Sequence, residues 1–168
     1  GFKHQEVLPK FTQKATDVIN THASEYPETP LFLYLPLAAP HTPIMPNKEF
    51  VGKSGLGDYG DFVCEVDWAV GQVVEALTRN GMLDNTLLIV TSDNGCSPMA
   101  DFEHLESLGH DPSYHFRGHK ADIFEGGHRI PFIAYWPEHI PAGTTCDHIT
   151  CLTDLTATAA AIVGVSLP

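Results

Sequence analysis

This chain has little positive charge and no long apolar run. Lys and Arg number nine against 21 Asp and Glu in 168 residues, a formal net charge of -12 with His neutral. A phosphate backbone is gripped mainly through Lys and Arg, so the deficit argues against a nucleic-acid partner. It does not argue against a small anionic substrate, because one lysine in a pocket outweighs surface carboxylates lying beyond a screening length of roughly 10 Å. No stretch approaches the ~18 apolar residues that cross a bilayer, so no membrane span is expected. The first residues carry neither the basic nor the apolar part of a leader, and the sequence opens on Gly1 rather than Met.

Cysteine is also scarce. The four are Cys64, Cys96, Cys146 and Cys151, with no C-x-x-C pair and no zinc-type spacing. Cys64 lies in a helical pattern and reads as a small buried hydrophobe. Cys146 and Cys151 stay open to pairing in an oxidising compartment. Ten histidines raise the question of zinc, and His115 and His119 have helical i, i+4 spacing. Gly118 and the surrounding loop composition speak against a helix there, and no H-E-x-x-H motif accompanies them.

What is present is a core: 43% of residues are hydrophobic and 10% aromatic. Residues 1–168 therefore read as one domain or a large piece of one, with no repeat, low-complexity segment or linker. Leu8, Phe11, Ala15, Val18 and Ile19 predict a helix from Pro9 to about Ala23. Leu31–Leu35 is a continuous apolar run ended by Pro36, the pattern of a strand buried on both faces. A Pro- and Gly-rich loop to Gly60 precedes a helix predicted over Asp61–Asn80, with Phe62, Val66, Ala69, Val70, Val73 and Leu77 on one stripe. Thr86–Thr91 reads as a second buried strand, Gly95–Gly118 as a long irregular segment, Phe132–Trp136 as a third strand and Thr153–Val163 as a last helix. Strand, helix, strand in this order predicts a right-handed parallel crossover, hence an α/β fold with a mostly parallel sheet and flanking helices.

In such a sheet ligands bind beyond the carboxyl ends of the strands. His41 follows the first expected strand by a short loop, and Asp93 and Asn94 follow the second directly. A carboxylate and an amide oxygen suit a hard cation, Ca²⁺ or Mg²⁺, better than zinc. Asp93-Asn94-Gly95 is also a common turn sequence. Taken singly, His41 between Pro40 and Pro43 and Lys120 among glycines are ordinary loop residues.

Their order is not ordinary. Arg117-Gly118-His119-Lys120 followed by Glu125-Gly126-Gly127-His128-Arg129 and Pro131 resembles the sulfatase signature, a lysine followed by E-G-G-x-R. Leu33-Tyr34-Leu35-Pro36-Leu37 with Pro40-His41 resembles the strand and loop that deliver a sulfate-contacting histidine, and Ser92-Asp93-Asn94-Gly95 resembles the calcium-binding pair. The resemblance to the sulfatases of the alkaline phosphatase superfamily runs from Val7 through Leu155. It implies a bound Ca²⁺, with Mg²⁺ as the alternative, held in part by Asp93 and Asn94. Lys120 would contact the sulfate, and His41 would bind it and protonate the leaving oxygen. The implied substrate is a small-molecule or carbohydrate sulfate ester, and the implied setting periplasmic, secreted or lysosomal. A phosphomonoester, phosphodiester or phosphonate hydrolase of the same superfamily and a non-catalytic anion-binding module are the competing readings.

Two family features have no counterpart here. The C-x-P-x-R motif whose cysteine or serine becomes formylglycine is not in this sequence, nor is the upstream acidic pair of the calcium site. Cys96-Ser97-Pro98-Met99-Ala100 has Ala where that motif has Arg, and it follows the metal loop instead of preceding it. The expectation is the C-terminal half of a sulfatase catalytic domain, binding Ca²⁺ weakly and inactive alone. It would expose an apolar sheet edge open to self-association.

Overall fold

Helical burial at i, i+4 and i+7 sets the frame. In the computed structural model, which describes Gly1–Leu167, helix α1 covers Val7–Glu25 and helix α2 covers Gly57–Arg79. Helix α1 starts earlier than its apolar stripe predicts because Pro9 lies in its first turn, where a missing N–H has no partner to lose. Its buried face is Leu8, Thr12, Ala15, Thr16 and Ile19, whereas Phe11, expected inside, is 45% exposed. Helix α2 gains a first turn, Gly57–Gly60, whose glycines argue for a loop on propensity alone. Packing overrides that propensity: a Cβ on Gly60 would lie 2.6 Å from Ser54 Oγ, so only glycine lets this turn seat against the preceding loop.

The two helices pack through Ala15, Ile19, Val73, Ala76 and Leu77. Leu31 and Leu35 dock on that cluster, while Ala39 and Ile44 dock on a second one built from Leu8, Phe62 and Ala69. Two fully buried carboxylates on α2 hold the intervening loop. Asp61 accepts from the Gly52 N–H at 2.6 Å, the Ser54 N–H at 2.9 Å and the Ser54 hydroxyl at 2.7 Å. Glu65 accepts from the Asn47 backbone at 2.8 Å and its side-chain amide at 2.6 Å.

The sheet corrects the sequence reading. Strand β1 is Leu88–Thr91 and strand β2 is Phe132–Tyr135, and they pair antiparallel from Leu88 opposite Tyr135 to Thr91 opposite Phe132. Leu31–Leu35 joins no ladder among the described residues, so no parallel crossover forms. An apolar run becomes a strand only when its amides find a neighbouring chain. Here Leu31 and Leu35 are held by side-chain packing alone, while Phe32 and Tyr34 point outward at 79% and 76% exposure. The second strand, expected to be buried, is also only partly covered: β1 is half-buried throughout.

The long segment after β1 is less irregular than expected. It contains a 3₁₀ turn at Pro98–Ala100 and helix α3, Phe102–Ser107, capped by the Asp101 side chain. Helix α4 is a single turn, Glu125–His128, and helix α5 is Asp154–Ile162. No helix forms around His115 and His119, in line with Gly118. All four cysteines are free, Cys146 and Cys151 included.

Candidate active site

Because the expected parallel sheet does not form, a shared strand rim cannot bring His41 to Asp93 and Asn94. The structure joins the site loops by other means. Beyond β1, the Gly95 N–H donates to the Gly127 carbonyl at 2.9 Å and the Lys120 N–H donates to the Cys96 carbonyl at 2.8 Å. These bonds clamp the Asp93-Asn94 loop to the Lys120 loop, so those sequence-predicted site residues do come together.

Three glycines make the clamp sterically feasible. A Cβ on Gly95 would lie 1.8 Å from the Gly126 carbonyl oxygen, one on Gly126 2.1 Å from that of Gly118, and one on Gly127 2.2 Å from that of Asp122. All three contacts are with backbone, which has no side-chain freedom to yield. The E-G-G-x-R sequence thus has a physical meaning in α4. Its glycines let the 117–122 backbone pass in contact, and its ends close as a Glu125–Arg129 ion pair of 2.7 Å. Arg129 lies over the Phe116 ring at 4.7 Å and Arg117 over the Phe124 ring at 3.7 Å, bracing the Lys120 loop from both sides.

Neither the Asp93 carboxylate nor the Lys120 ammonium joins any ion pair among the described residues. The Asn94 side-chain amide donates to the Gly95 carbonyl at 3.0 Å, and its oxygen accepts no hydrogen bond among the described residues. Asp93 and Asn94 therefore fit a hard cation in kind, with oxygen donors only. They do not fit in number: no group of three or more His, Cys, Asp or Glu is placed to hold a metal among the described residues.

His41 belongs to a separate wall. Its Nδ1 lies 2.9 Å from the Thr42 carbonyl oxygen, an acceptor, so Nδ1 carries the proton and Nε2 has no hydrogen-bond partner among the described residues. The ring borders a cavity of about 200 Å³ against Val7, Leu8 and Phe62. No hydrogen bond links it directly to the clamped loops among the described residues; the common support is the start of α2. There Phe62 packs under Ala39 and Ile44, while the Tyr59 oxygen accepts from the Cys96 thiol at 3.1 Å. Tyr59 was not legible as a site residue, since nothing in the sequence links an aromatic on a helix to a loop thiol far along the chain. The Gly126-Gly127 doublet was the one local signal of the clamp.

Burial pushes the Cys96 thiol above its ordinary range, the reverse of what an activated nucleophile needs. Burial and the bond from Cys96 likewise raise the Tyr59 phenol. Cys96 is thus a neutral thiol bound to Tyr59, and its superficial likeness to a nucleophile motif has no electrostatic support.

Comparison with known proteins gives a consistent picture. The sulfatase family matches residues 6–165. An N-acetylgalactosamine-6-O-sulfatase of Bacteroides thetaiotaomicron is 39% identical over 83% of this chain and 27% of its own length. A steryl-sulfatase of Rattus norvegicus is 40% identical over 84% of this chain and 24% of its own length. This chain therefore spans about a quarter of the curated relatives it matches. Among solved structures, Ps i-CgsB in complex with k-i-k-neocarrahexaose superposes with a TM-score of 0.82 at 31% identity, over 96% of this chain and 35% of that one. The PsFucS1 sulfatase from Pseudoalteromonas sp. gives 0.83 at 29% identity, over 98% of this chain and 32% of that one. With both the sequence and the backbone matched along nearly its whole length, the chain belongs to the sulfatase family.

Proposed function

We propose that residues 1–168 form one partial domain of a sulfatase, the part of the catalytic domain that carries Lys120, His41 and two metal ligands, acting on a carbohydrate or aryl sulfate ester. The observation that supports this reading is the clamp, two backbone hydrogen bonds that join the loop of Asp93 and Asn94 to the loop of Lys120, with neither the Asp93 carboxylate nor the Lys120 ammonium in an ion pair among the described residues. That combination binds an oxyanion and a cation together. Asp93 and Asn94 supply two oxygen ligands and the remaining ligands come from outside this chain. The cation, Ca²⁺ or Mg²⁺, would draw charge from the sulfate oxygens when bound.

Lys120 holds the sulfate by charge and neutralises what builds on its oxygens as the ester bond breaks. His41 acts as the general acid, giving a proton from Nε2 to the leaving alcohol oxygen. The nucleophile, a formylglycine, lies outside this chain. The reading of the substrate as a carbohydrate draws support from relatives that are named for N-acetylgalactosamine sulfate or hold a carbohydrate. We place the enzyme in an exported or lysosomal compartment, as the family resemblance implies.

Hydrolysis of an aryl sulfate and of the matched aryl phosphate, with added Ca²⁺, tests the proposal on this chain and on a longer one extended at the N-terminal side. The expected result is sulfatase activity in the longer chain alone, falling ~10²-fold or more in kcat/KM for Lys120→Ala, whose backbone clamp is retained. Preferential phosphate cleavage would identify a phosphoesterase instead, and turnover by the 168-residue chain would overturn the role given to an external nucleophile.

A further inference from the structure

A second cavity, of about 470 Å³, opens between the start of α2 and the segment that leads into α3. Its size falls within the range of small-molecule sites, roughly 300–1,000 Å³, which the His41 cavity at about 200 Å³ does not reach. It also adjoins the clamped loops. Tyr59 on its wall is bonded to Cys96, whose carbonyl accepts the Lys120 N–H, and Ile44 on the same wall belongs to the loop that carries His41.

The lining mixes two chemistries. Ile44, Leu56 and Met99 are apolar, suited to the C–H face of a sugar ring, and Asp58, Asp101 and His104 are polar. One Asp101 oxygen accepts the His104 N–H at 3.2 Å as the cap of α3, leaving the other free. Asp58 enters no ion pair among the described residues. The His104 ring lies over Gly57, where a Cβ would approach its Nε2 to 3.3 Å, so the absence of a side chain there lets the imidazole border the cavity. Asp101 holds this position at φ 62°, in the left-handed region that Asp tolerates better than most residues. No Lys or Arg lines the cavity.

We propose that this cavity is the subsite for a neutral, hydroxyl-bearing sugar unit adjoining the sulfated one, and that Asp58 and Asp101 turn away a second anionic group at that unit. The proposal rests on the sulfatase reading above. Carboxylates accept from sugar hydroxyls and repel a sulfate or uronate, so selectivity arises from an attraction and a repulsion at the same atoms.

The test uses the active enzyme containing this segment and compares kcat/KM for a disaccharide sulfated on one unit only with kcat/KM for the same disaccharide carrying a second sulfate on the neighbouring unit. A simple aryl sulfate is run alongside. The singly sulfated substrate is expected to be preferred, and Asp58→Asn with Asp101→Asn to lower that preference roughly fivefold, since each partly exposed like-charge contact contributes only a few-fold. Asn retains the helix-cap acceptor, so α3 stays in place. An unchanged preference with aryl sulfate still hydrolysed overturns this proposal and leaves the sulfatase reading intact. Loss of all sulfate hydrolysis in the unsubstituted enzyme removes both.

Discussion

At Gly95 the clamp has no tolerance, because an added methyl would overlap a backbone carbonyl oxygen at 1.8 Å. Gly95→Ala must therefore push the loop after β1 away from α4 and separate Asp93-Asn94 from Lys120. A loss of roughly 1–3 kcal/mol of stability is expected, with a larger proportional loss of activity in the complete enzyme. Gly71→Ala is the control: it lies inside α2 with nothing within 4 Å, so it should stabilise the protein by about 0.5–1 kcal/mol. Thermal or urea unfolding of both variants checks the pair, and equal effects would show that the close approach is not what fixes Gly95. At this scale the sequence offers Lys120, Asp93 and Asn94 as candidates because they sit in short motifs. The contacts that require the glycines were not legible, since each is made with backbone distant in sequence.

Helix α2 is the element on which both site loops depend. Its buried Asp61 receives three hydrogen bonds from the 52–54 loop, and these, led by the Ser54 N–H, hold its carboxyl below the ordinary range. In the unfolded chain the same group titrates near pH ~4. The native state therefore binds fewer protons there. Its stabilisation is complete above roughly pH 4 and fades as pH falls through the lower, folded value. Asp61→Asn replaces one accepting oxygen with an NH2 that faces other donors and should cost about 1.5–3 kcal/mol at neutral pH. It should also flatten the acid limb of stability; parallel acid limbs in urea titrations of the two proteins would contradict this role. The helices were readable from apolar spacing, while the anchoring acids were not. A carboxylate on a helix looks like solvated surface until the loop that donates to it has been placed.

The molecule as a whole leaves much apolar surface open. Phe32, Tyr34, Ile123 and Ile133 are exposed at 79%, 76%, 86% and 61%, and the sheet is a lone antiparallel pair among the described residues. Two-stranded sheets are marginal in water, and unpaired edges recruit other chains. Isolated, the 168-residue chain should self-associate in the micromolar range, with Phe32→Lys and Tyr34→Lys restoring a monomer; light scattering against concentration measures this. A monomer at high concentration without those substitutions would show that this exposed apolar surface is not adhesive. Neither substitution touches Lys120 or Asp93, so any effect on metal binding would have to be indirect.

Residue order alone tied this chain to one family, through loops whose wording includes a lysine, a histidine, and an acid with an amide. Apolar periodicity also determined the helices, because a helix satisfies its own backbone and needs only one face covered. The strands were decided by the tertiary structure. Leu31–Leu35 has the composition of a buried strand but no neighbouring chain to bond with, and β1 finds its partner in β2 rather than in the segment before α2. Sheet pairing is a relation between distant segments, which local sequence cannot encode. The same holds for the site, where Gly95 meeting Gly126 and Tyr59 meeting Cys96 convert separate motifs into one surface.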